Sequence, residues 1–320
     1  MEFYKGKNVL VAGGTGLIGR PLVEMLISSG ANVRVASLDD PKRAHKDSEF
    51  MRVDLTNYEN CLLACKGMDF VFNLLCMKGN PKACQERPAS MFVPMLLFNT
   101  NLMKAAKESN VKRFLYTSTI GVYSPAEIFF EDDVWKTFPS KNDWFNGWAK
   151  RIGELQAETY KIEYGWNEIS IVRPANTYGP YDDFDSENSM VIPSLIKKAL
   201  NGEDPMVIWG DGSSIRDFIY TKDVAKGIML ALEKGISPDY PINLGSGRGY
   251  SIKELVDIII NNLDKKPKII WDTSKPAGDK KRILDITRAK SLLNWSPETS
   301  IEKGIKETMD WYKDYKNNGN

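Results

Sequence analysis

Three glycines, Gly13, Gly16 and Gly19, follow the apolar run NVLVA (8–12) at intervals of three residues and open a helical pattern. In a strand–turn–helix setting this spacing suits a dinucleotide. The glycines allow a tight turn, close approach of a pyrophosphate and close helix packing, while free amides and the helix dipole face the phosphates. Leu17 and Ile18 complete that turn and are counted with it. Eighteen residues past Gly19 the second apolar run ends at Ser37, small and neutral, where a carboxylate would accept from the adenosine ribose and repel a 2′-phosphate. Lys42 and Arg43 follow, and Arg20 stands beside the phosphate turn, which favours NADP over NAD. Asp39 and Asp40 count the other way, since either could swing back to the ribose.

Elsewhere chemistry-bearing residues are sparse. The one histidine, His45, lies in a polar stretch rich in turn formers, so a histidine base or a two-histidine metal site is disfavoured. Cys61, Cys65, Cys76 and Cys84 are few for 320 residues, and Cys61 and Cys65 stand one helical turn apart in an apolar pattern. All four read as reduced packing residues, with no histidine or second cysteine pair to complete a metal site. With 43 Lys+Arg against 42 Asp+Glu, nothing drives a non-specific grip on nucleic acid or an anionic membrane, and an anionic ligand has to be held locally. MEFYKGKNVLVAGG carries no cleavable apolar segment, and no apolar run approaches the roughly 18 residues of a membrane span. A cytoplasmic protein is expected.

The elements that must position these residues follow from apolar patterning. NVLVAG (8–13), NVRVAS (32–37), FMRVD (50–54), DFVFNLL (69–75), KRFLYTS (112–118) and EISIV (168–172) alternate with helix-length connections, among them 17–29, 91–108 and 144–164. Such alternation predicts right-handed βαβ units, and runs that are apolar almost throughout predict strands covered on both faces. After Pro174 the texture changes: turn residues crowd 174–188, and shorter elements follow, with helices near 190–201, 221–234 and 251–262 and strands at 206–209 and 218–220. The terminal KDYKNNGN is expected to fray. The fold class is α/β, a doubly wound parallel sheet of Rossmann type with a smaller α/β carboxy-terminal substrate lobe. The dinucleotide domain is drawn at 1–178 and 213–245, the substrate lobe at 179–212 and 246–320, with a ligand cleft between them.

The segments GGTGLIG (13–19), the aspartate of VDL (53–55), YTSTIGVY (116–123), WAKRIGE (148–154), RPANTYGP (173–180) and GSSIRDFIYTKDVA (212–225) stand in one order. Through them the chain resembles the extended short-chain dehydrogenase/reductase superfamily of nucleotide-sugar epimerases, dehydratases and reductases. Its second half is most similar to GDP-fucose synthases, through NSMVIPSLI (188–196), VIWGDG (207–212) and DTSKPAGDKKRILDITR (272–288). The resemblance implies that Asp54, Leu55, Leu74 and Pro174 line the dinucleotide. It implies that Asn176, the main chain at Val191, Trp209, Arg216 and Lys280 meet a nucleotide sugar, GDP-linked by the same likeness. Three of these have a plainer alternative: an ion pair of Arg216 with Asp217 or Asp223, a buried core role for Trp209, and a solvated charge run around Asp279 and Lys280. The resemblance also implies a homodimer built on the helices near 91–108 and 144–164, where Met91, Phe92, Met95, Leu96, Phe98, Trp148 and Ile152 are large and apolar.

In that superfamily a hydroxyl after the fifth strand orients the substrate oxygen, and a tyrosine four residues before a lysine exchanges the proton that accompanies hydride transfer. The lysine lowers the tyrosine pKa and holds the nicotinamide ribose. Thr119 matches the hydroxyl and Lys150 the lysine, with Glu154 one turn later, but the tyrosine position is Asn146, whose amide cannot act as a proton acid or base. Asp143 is a conceivable proton carrier and, more simply, an N-cap of the following helix. The histidine and cysteine of GDP-fucose synthases fall at Met190 and near Ile120 or Gly121, and the Asp-Glu pair of dehydratases is absent after Thr119. Double epimerisation and 4,6-dehydration are therefore disfavoured, leaving keto-sugar reduction or C4 epimerisation by hydride transfer. The competing readings are a catalytically silent nucleotide-sugar and NADP-binding protein, and an epimerase whose tyrosine has been replaced at Asn146.

Overall fold

Apolar stretches without polar interruption become strands here because helices cover both of their faces. The computed structural model describes residues 2–77, 86–184, 189–275 and 279–317. Its strands are β1 (Asn8–Ala12), β2 (Asn32–Ser37), β3 (Glu49–Arg52), β4 (Phe70–Asn73), β5 (Arg113–Thr117), β6 (Ile128–Phe129) and β7 (Ile169–Pro174). They continue with β8 (Asn176–Tyr178), β9 (Met206–Trp209), β10 (Ile215–Tyr220), β11 (Ile242–Leu244), β12 (Gly249–Ser251), β13 (Ile269–Asp272) and β14 (Lys281–Leu284). The helices are α1 (Gly19–Ser28), α2 (Tyr58–Cys65), α3 (Pro88–Glu108), α4 (Trp144–Tyr164), α5 (Val191–Leu200), α6 (Thr221–Lys234), α7 (Ile252–Ile260), α8 (Thr287–Leu293) and α9 (Ile301–Asn317).

A seven-stranded parallel sheet runs in the order β11–β7–β5–β4–β1–β2–β3. Alternation along β1 divides its side chains between two cores. Val9 and Val11 meet Leu22 and Leu26 of α1 and Ile228 of α6, whereas Leu10 and Ala12 join Cys61 and Cys65 of α2 and Phe98 and Leu102 of α3. The strand order reverses between β1 and β4, so a crevice opens beyond their carboxyl ends, the place where such sheets bind ligands.

A second sheet runs β12–β10–β14–β6 with β8 beside β10, a short pair joins β9 and β13, and α5, α7 and α9 pack with them; β6 and β8 of this sheet come from the stretch 1–178 drawn with the dinucleotide domain. Their common core gathers Ile192, Ile196, Phe218, Leu255, Val256, Ile305 and Met309. Of the stretch 213–245 drawn with the dinucleotide domain, β11 joins the large sheet and β10 the second one. The terminal residues differ from the frayed tail expected: α9 runs through Asn317, because Tyr312 is buried, stacks on Phe184 with centroids 4.2 Å apart, and follows the buried Met309 by three residues. Residues 318–320 and Cys84 lie outside the described residues. No helix among the described residues is long and apolar enough to cross a membrane.

Candidate active site

The phosphate turn lies between β1 and α1, as its glycines predict. Gly13 has φ +82°, and a methyl group on Gly19 would come within 2.3 Å of the Gly13 carbonyl oxygen, so the turn closes only with these residues. Leu74, after β4, donates its amide to the Ala12 carbonyl (3.0 Å), so the ends of β1 and β4 form one wall. The buried Leu17 carbonyl accepts from the Thr221 hydroxyl at 2.7 Å, which ties the turn to α6, and Ile18 is the N-cap residue of α1. These features fit a dinucleotide: a cradle that tolerates no side chains, at a helix start, at the switch point of the sheet.

At the ribose end Ser37 is buried at the close of β2 and hydrogen-bonds the Thr15 hydroxyl (2.8 Å). Asp39 has swung back, accepting from the same Thr15 hydroxyl at 2.6 Å and facing Arg43 across 3.8 Å. Asp40 instead accepts from the Lys42 amide, and Arg20 lies 4.0 Å over the Tyr181 ring. Asp54 turns its carboxylate to the Thr56 amide and hydroxyl, beside the buried Leu55. Pro174 ends β7, paired in register with Leu244.

The hydroxyl and the lysine meet at the carboxyl end of β5. Thr119 caps a short 3-10 turn, its hydroxyl oxygen accepting from the Gly121 amide at 3.2 Å. Lys150 projects from α4 into the protein, where its ammonium donates to the Thr117 carbonyl (2.8 Å) and the Leu75 carbonyl (2.9 Å). Burial pulls its pKa below the usual lysine value, opposed by the nearby Cys76 and Glu154. Glu154 does not touch Lys150 as expected. It accepts from both arms of the buried Arg173 (2.6 and 2.9 Å) and from the Ser118 hydroxyl, a network that binds α4 to β7 and to the Thr119 turn. Asn146 lies half-buried one turn before Lys150 on the same face.

Two expectations about charged residues are overturned here. Asp143 occupies the N-cap position of α4 but makes no cap bond; its carboxylate pairs with Arg282 of β14 at 2.7 Å. Arg216 pairs with neither Asp217 nor Asp223: Asp217 accepts from the Ser246, Gly247 and Leu284 amides, and Asp223 from those of Glu298 and Thr299. Asp217 is sealed in that role, with its pKa raised by burial. In the parallel pairing of β10 with β14, Arg216 stands directly beside Arg282. Burial and the second guanidinium pull the Arg216 pKa down. Asp279 lies 3.7 Å from Arg282 and accepts from Asn142 (2.9 Å) and Ser140 (3.2 Å). Two guanidiniums thus stand side by side, with Arg282 facing the Asp143 and Asp279 carboxylates, an arrangement that suits an anion in a chain whose net charge is only +1.

The remaining candidates are spread more loosely. Asn176 donates to the Asp217 carbonyl at 2.8 Å and so sits next to Arg216. Val191 opens α5. Trp209 is 59% exposed, not a core residue, with the Lys275 ammonium 5.9 Å from its ring. Lys280 is exposed, its carbonyl accepting from the Ile215 amide. Cys61 and Cys65 are buried, and burial pushes both thiols up to about 12, whereas Cys76 is exposed and near Lys150, not a packing residue. Arg282 is the residue that sequence reasoning missed. It stands two positions after Lys280 in the segment of resemblance, and only the pairing with Arg216 sets it apart from the neighbouring lysines.

Comparison with known proteins finds relatives along nearly the whole chain. The chain is 29% identical over 319 residues to GDP-L-fucose synthase 1 of Arabidopsis thaliana, covering 96% of this chain and 94% of that one. It is 30% identical over 329 residues to dTDP-4-dehydro-6-deoxy-D-allose reductase of a Streptomyces species, covering 98% of both. The crystal structure of UDP-glucose 4-epimerase of Thermus thermophilus in complex with NAD superposes with a TM-score of 0.83 at 25% identity, over 96% of this chain and 99% of that one. Residues 9–245 match the model of the NAD dependent epimerase/dehydratase family. With that match spanning the phosphate turn, the Thr119 turn, Lys150 and Arg216, the chain belongs to the NAD dependent epimerase/dehydratase family.

Proposed function

We propose that the protein is a nucleotide-sugar keto-reductase or C4 epimerase. The observation that carries this reading is that Lys150 reaches the Thr117 carbonyl at the carboxyl end of β5 while Arg282, beside Arg216, donates to Asp143 and to the Ile120 carbonyl of the Thr119 turn. The nicotinamide supplies or takes the hydride at C4 of the sugar when bound. The chain's own residues do the rest: Thr119 orients O4, Lys150 holds the nicotinamide ribose, and Arg216 and Arg282 fork onto the diphosphate. Asn176 lies beside the sugar, and Val191, Trp209 and Lys280 lie toward the nucleotide. Likeness to GDP-fucose synthases in the second half supports a GDP-linked sugar.

NADP is the proposed cofactor, because the neutral Ser37 closes β2 and the cationic Arg43 stands at the same end of that strand, 3.8 Å from Asp39. One observation favours NAD instead: Asp39, bound to Thr15, already lies against the phosphate turn. Asn146 favours a second functional reading, a silent binding protein, since the amide moves no proton. Mass spectrometry of the purified protein tests the class directly. A retained nicotinamide dinucleotide together with a retained sugar nucleotide is expected; failure of GDP, UDP, CDP and dTDP to bind at all would remove the substrate class. A homodimer through α3 and α4 accompanies this reading; of the residues expected on its face Met91, Met95 and Phe98 are instead buried within the subunit, and the support comes from the exposed Val93, Leu97, Ile152 and Leu155.

A further inference from the structure

A site that reduces or oxidises C4 of a sugar must move a proton at O4, and Asn146 carries none that titrates. This inference rests on the enzyme reading above and asks which group replaces the tyrosine. Asp143, Asn146 and Lys150 are spaced i, i+3, i+7 at the start of α4 and fall on one face. An aspartate at an N-cap ordinarily spends its carboxylate on the first-turn amides, yet Asp143 makes no such bond and points away from the helix axis to Arg282. A methyl group at Gly121 would sit 3.2 Å from its Cγ, and the Gly121 amide is the donor to the Thr119 hydroxyl oxygen. One residue thus touches both the oxygen that orients O4 and the carboxyl group. The other carboxylate at Arg282, Asp279, is turned to Ser140 and Asn142.

We propose that Asp143 is the proton carrier of this site, acting on O4 through one water held by the Asn146 amide. In the reducing direction the C4–O4 double bond opens, C4 gains the hydride and O4 gains the proton. The ketone is reduced and the dihydronicotinamide oxidised, while Asp143, which gave up its proton, becomes a carboxylate that Arg282 takes back once the product has left. Solvent returns the proton, since the Asp143 side chain is 28% exposed. In the oxidising half of an epimerisation the same atoms move in reverse. A diphosphate between Arg216 and Arg282 draws on the guanidinium that holds Asp143 in the unliganded protein, which frees the Asp143 carboxyl group to turn toward O4 when substrate is in place.

The test uses Asp143→Asn, which keeps the shape, and Asp143→Ala, which leaves room for an added acid. Calorimetry should show both variants binding NADPH within about threefold of the unaltered protein and the sugar nucleotide at least as tightly, since Asp143 no longer competes with the diphosphate for Arg282. Single-turnover hydride transfer should fall by about 10²–10⁴-fold, the usual worth of a positioned acid–base group, with KM nearly unchanged. Formate should restore Asp143→Ala in proportion to its concentration. Retained kcat, a raised KM with kcat preserved, lost affinity for either ligand, or no rescue by formate would each overturn the proposal. If instead the unaltered protein binds both ligands and turns nothing over, the enzyme reading itself falls, and this inference with it.

Discussion

At the scale of single residues, the consequences concentrate at Ser37 and Asn146. A carboxylate in place of Ser37 would repel a 2′-phosphate and accept from the ribose hydroxyls. NADPH should therefore bind the unaltered protein at least about tenfold tighter than NADH, about 1.4 kcal/mol, and Ser37→Asp should reverse the order in calorimetric titration. Equal or tighter binding of NADH by the unaltered protein would show that Asp39, already at Thr15, governs the choice. Asn146 is shorter than a tyrosine and can hold a water where a phenol would displace it. Asn146→Tyr is accordingly expected to leave hydride transfer unchanged or to lower it. A gain of about 10²–10⁴-fold would mean that the site is still built for a phenol next to Lys150.

At the scale of elements, function depends on how β10, β14 and the stretch before α4 are joined. The proposed function puts Arg216 in one of two ligand sites, so Arg216→Ala should weaken sugar-nucleotide binding by about 2–4 kcal/mol and leave NADPH affinity nearly intact. A matching loss at the cofactor would place the residue wrongly. The same stretch contains Glu131, whose carboxylate accepts from the Asn243 amide of β11 and whose pKa is raised above 4.5 by burial. A raised folded pKa means that the stability contributed by its protonation is full below 4.5 and is lost as pH rises through the folded value. Glu131→Gln should therefore gain in melting temperature relative to the unaltered protein between about pH 4 and pH 7; a constant difference would contradict the assignment. The main sheet was legible in the sequence because β1, β2, β4, β5 and β7 are apolar runs bounded by helix-length connections. The lobe was less so: β6, β8, β12 and β14 are two to four residues long, too short for a periodic signal, and are fixed by partners distant in sequence. Arg282 was hidden for that reason, since its importance comes from β14 lying beside β10. The N-cap role expected of Asp143 failed similarly, because the residue that claims its carboxylate is 139 positions away.

At the scale of the whole molecule, the proposed function brings two ligands together over the carboxyl ends of the parallel strands, and α3 and α4 leave an apolar face. Val93 and Leu97 of α3 and Ile152 and Leu155 of α4 are all more than a third exposed, which is costly for an isolated subunit. Light scattering at micromolar concentration should give twice the chain mass, and Leu97→Asp combined with Ile152→Asp should give the single chain; a monomer before substitution would contradict the dimer. The central claim is that this cleft still performs hydride chemistry without a tyrosine at position 146. It is tested most directly by mixing the NADPH-loaded protein with 4-keto sugar nucleotides and following the dihydronicotinamide absorbance in a single turnover. Decay matched by appearance of the C4 alcohol is the result predicted. Unchanged absorbance with every GDP- and dTDP-linked keto sugar that binds would contradict it and leave a binding protein in place of an enzyme.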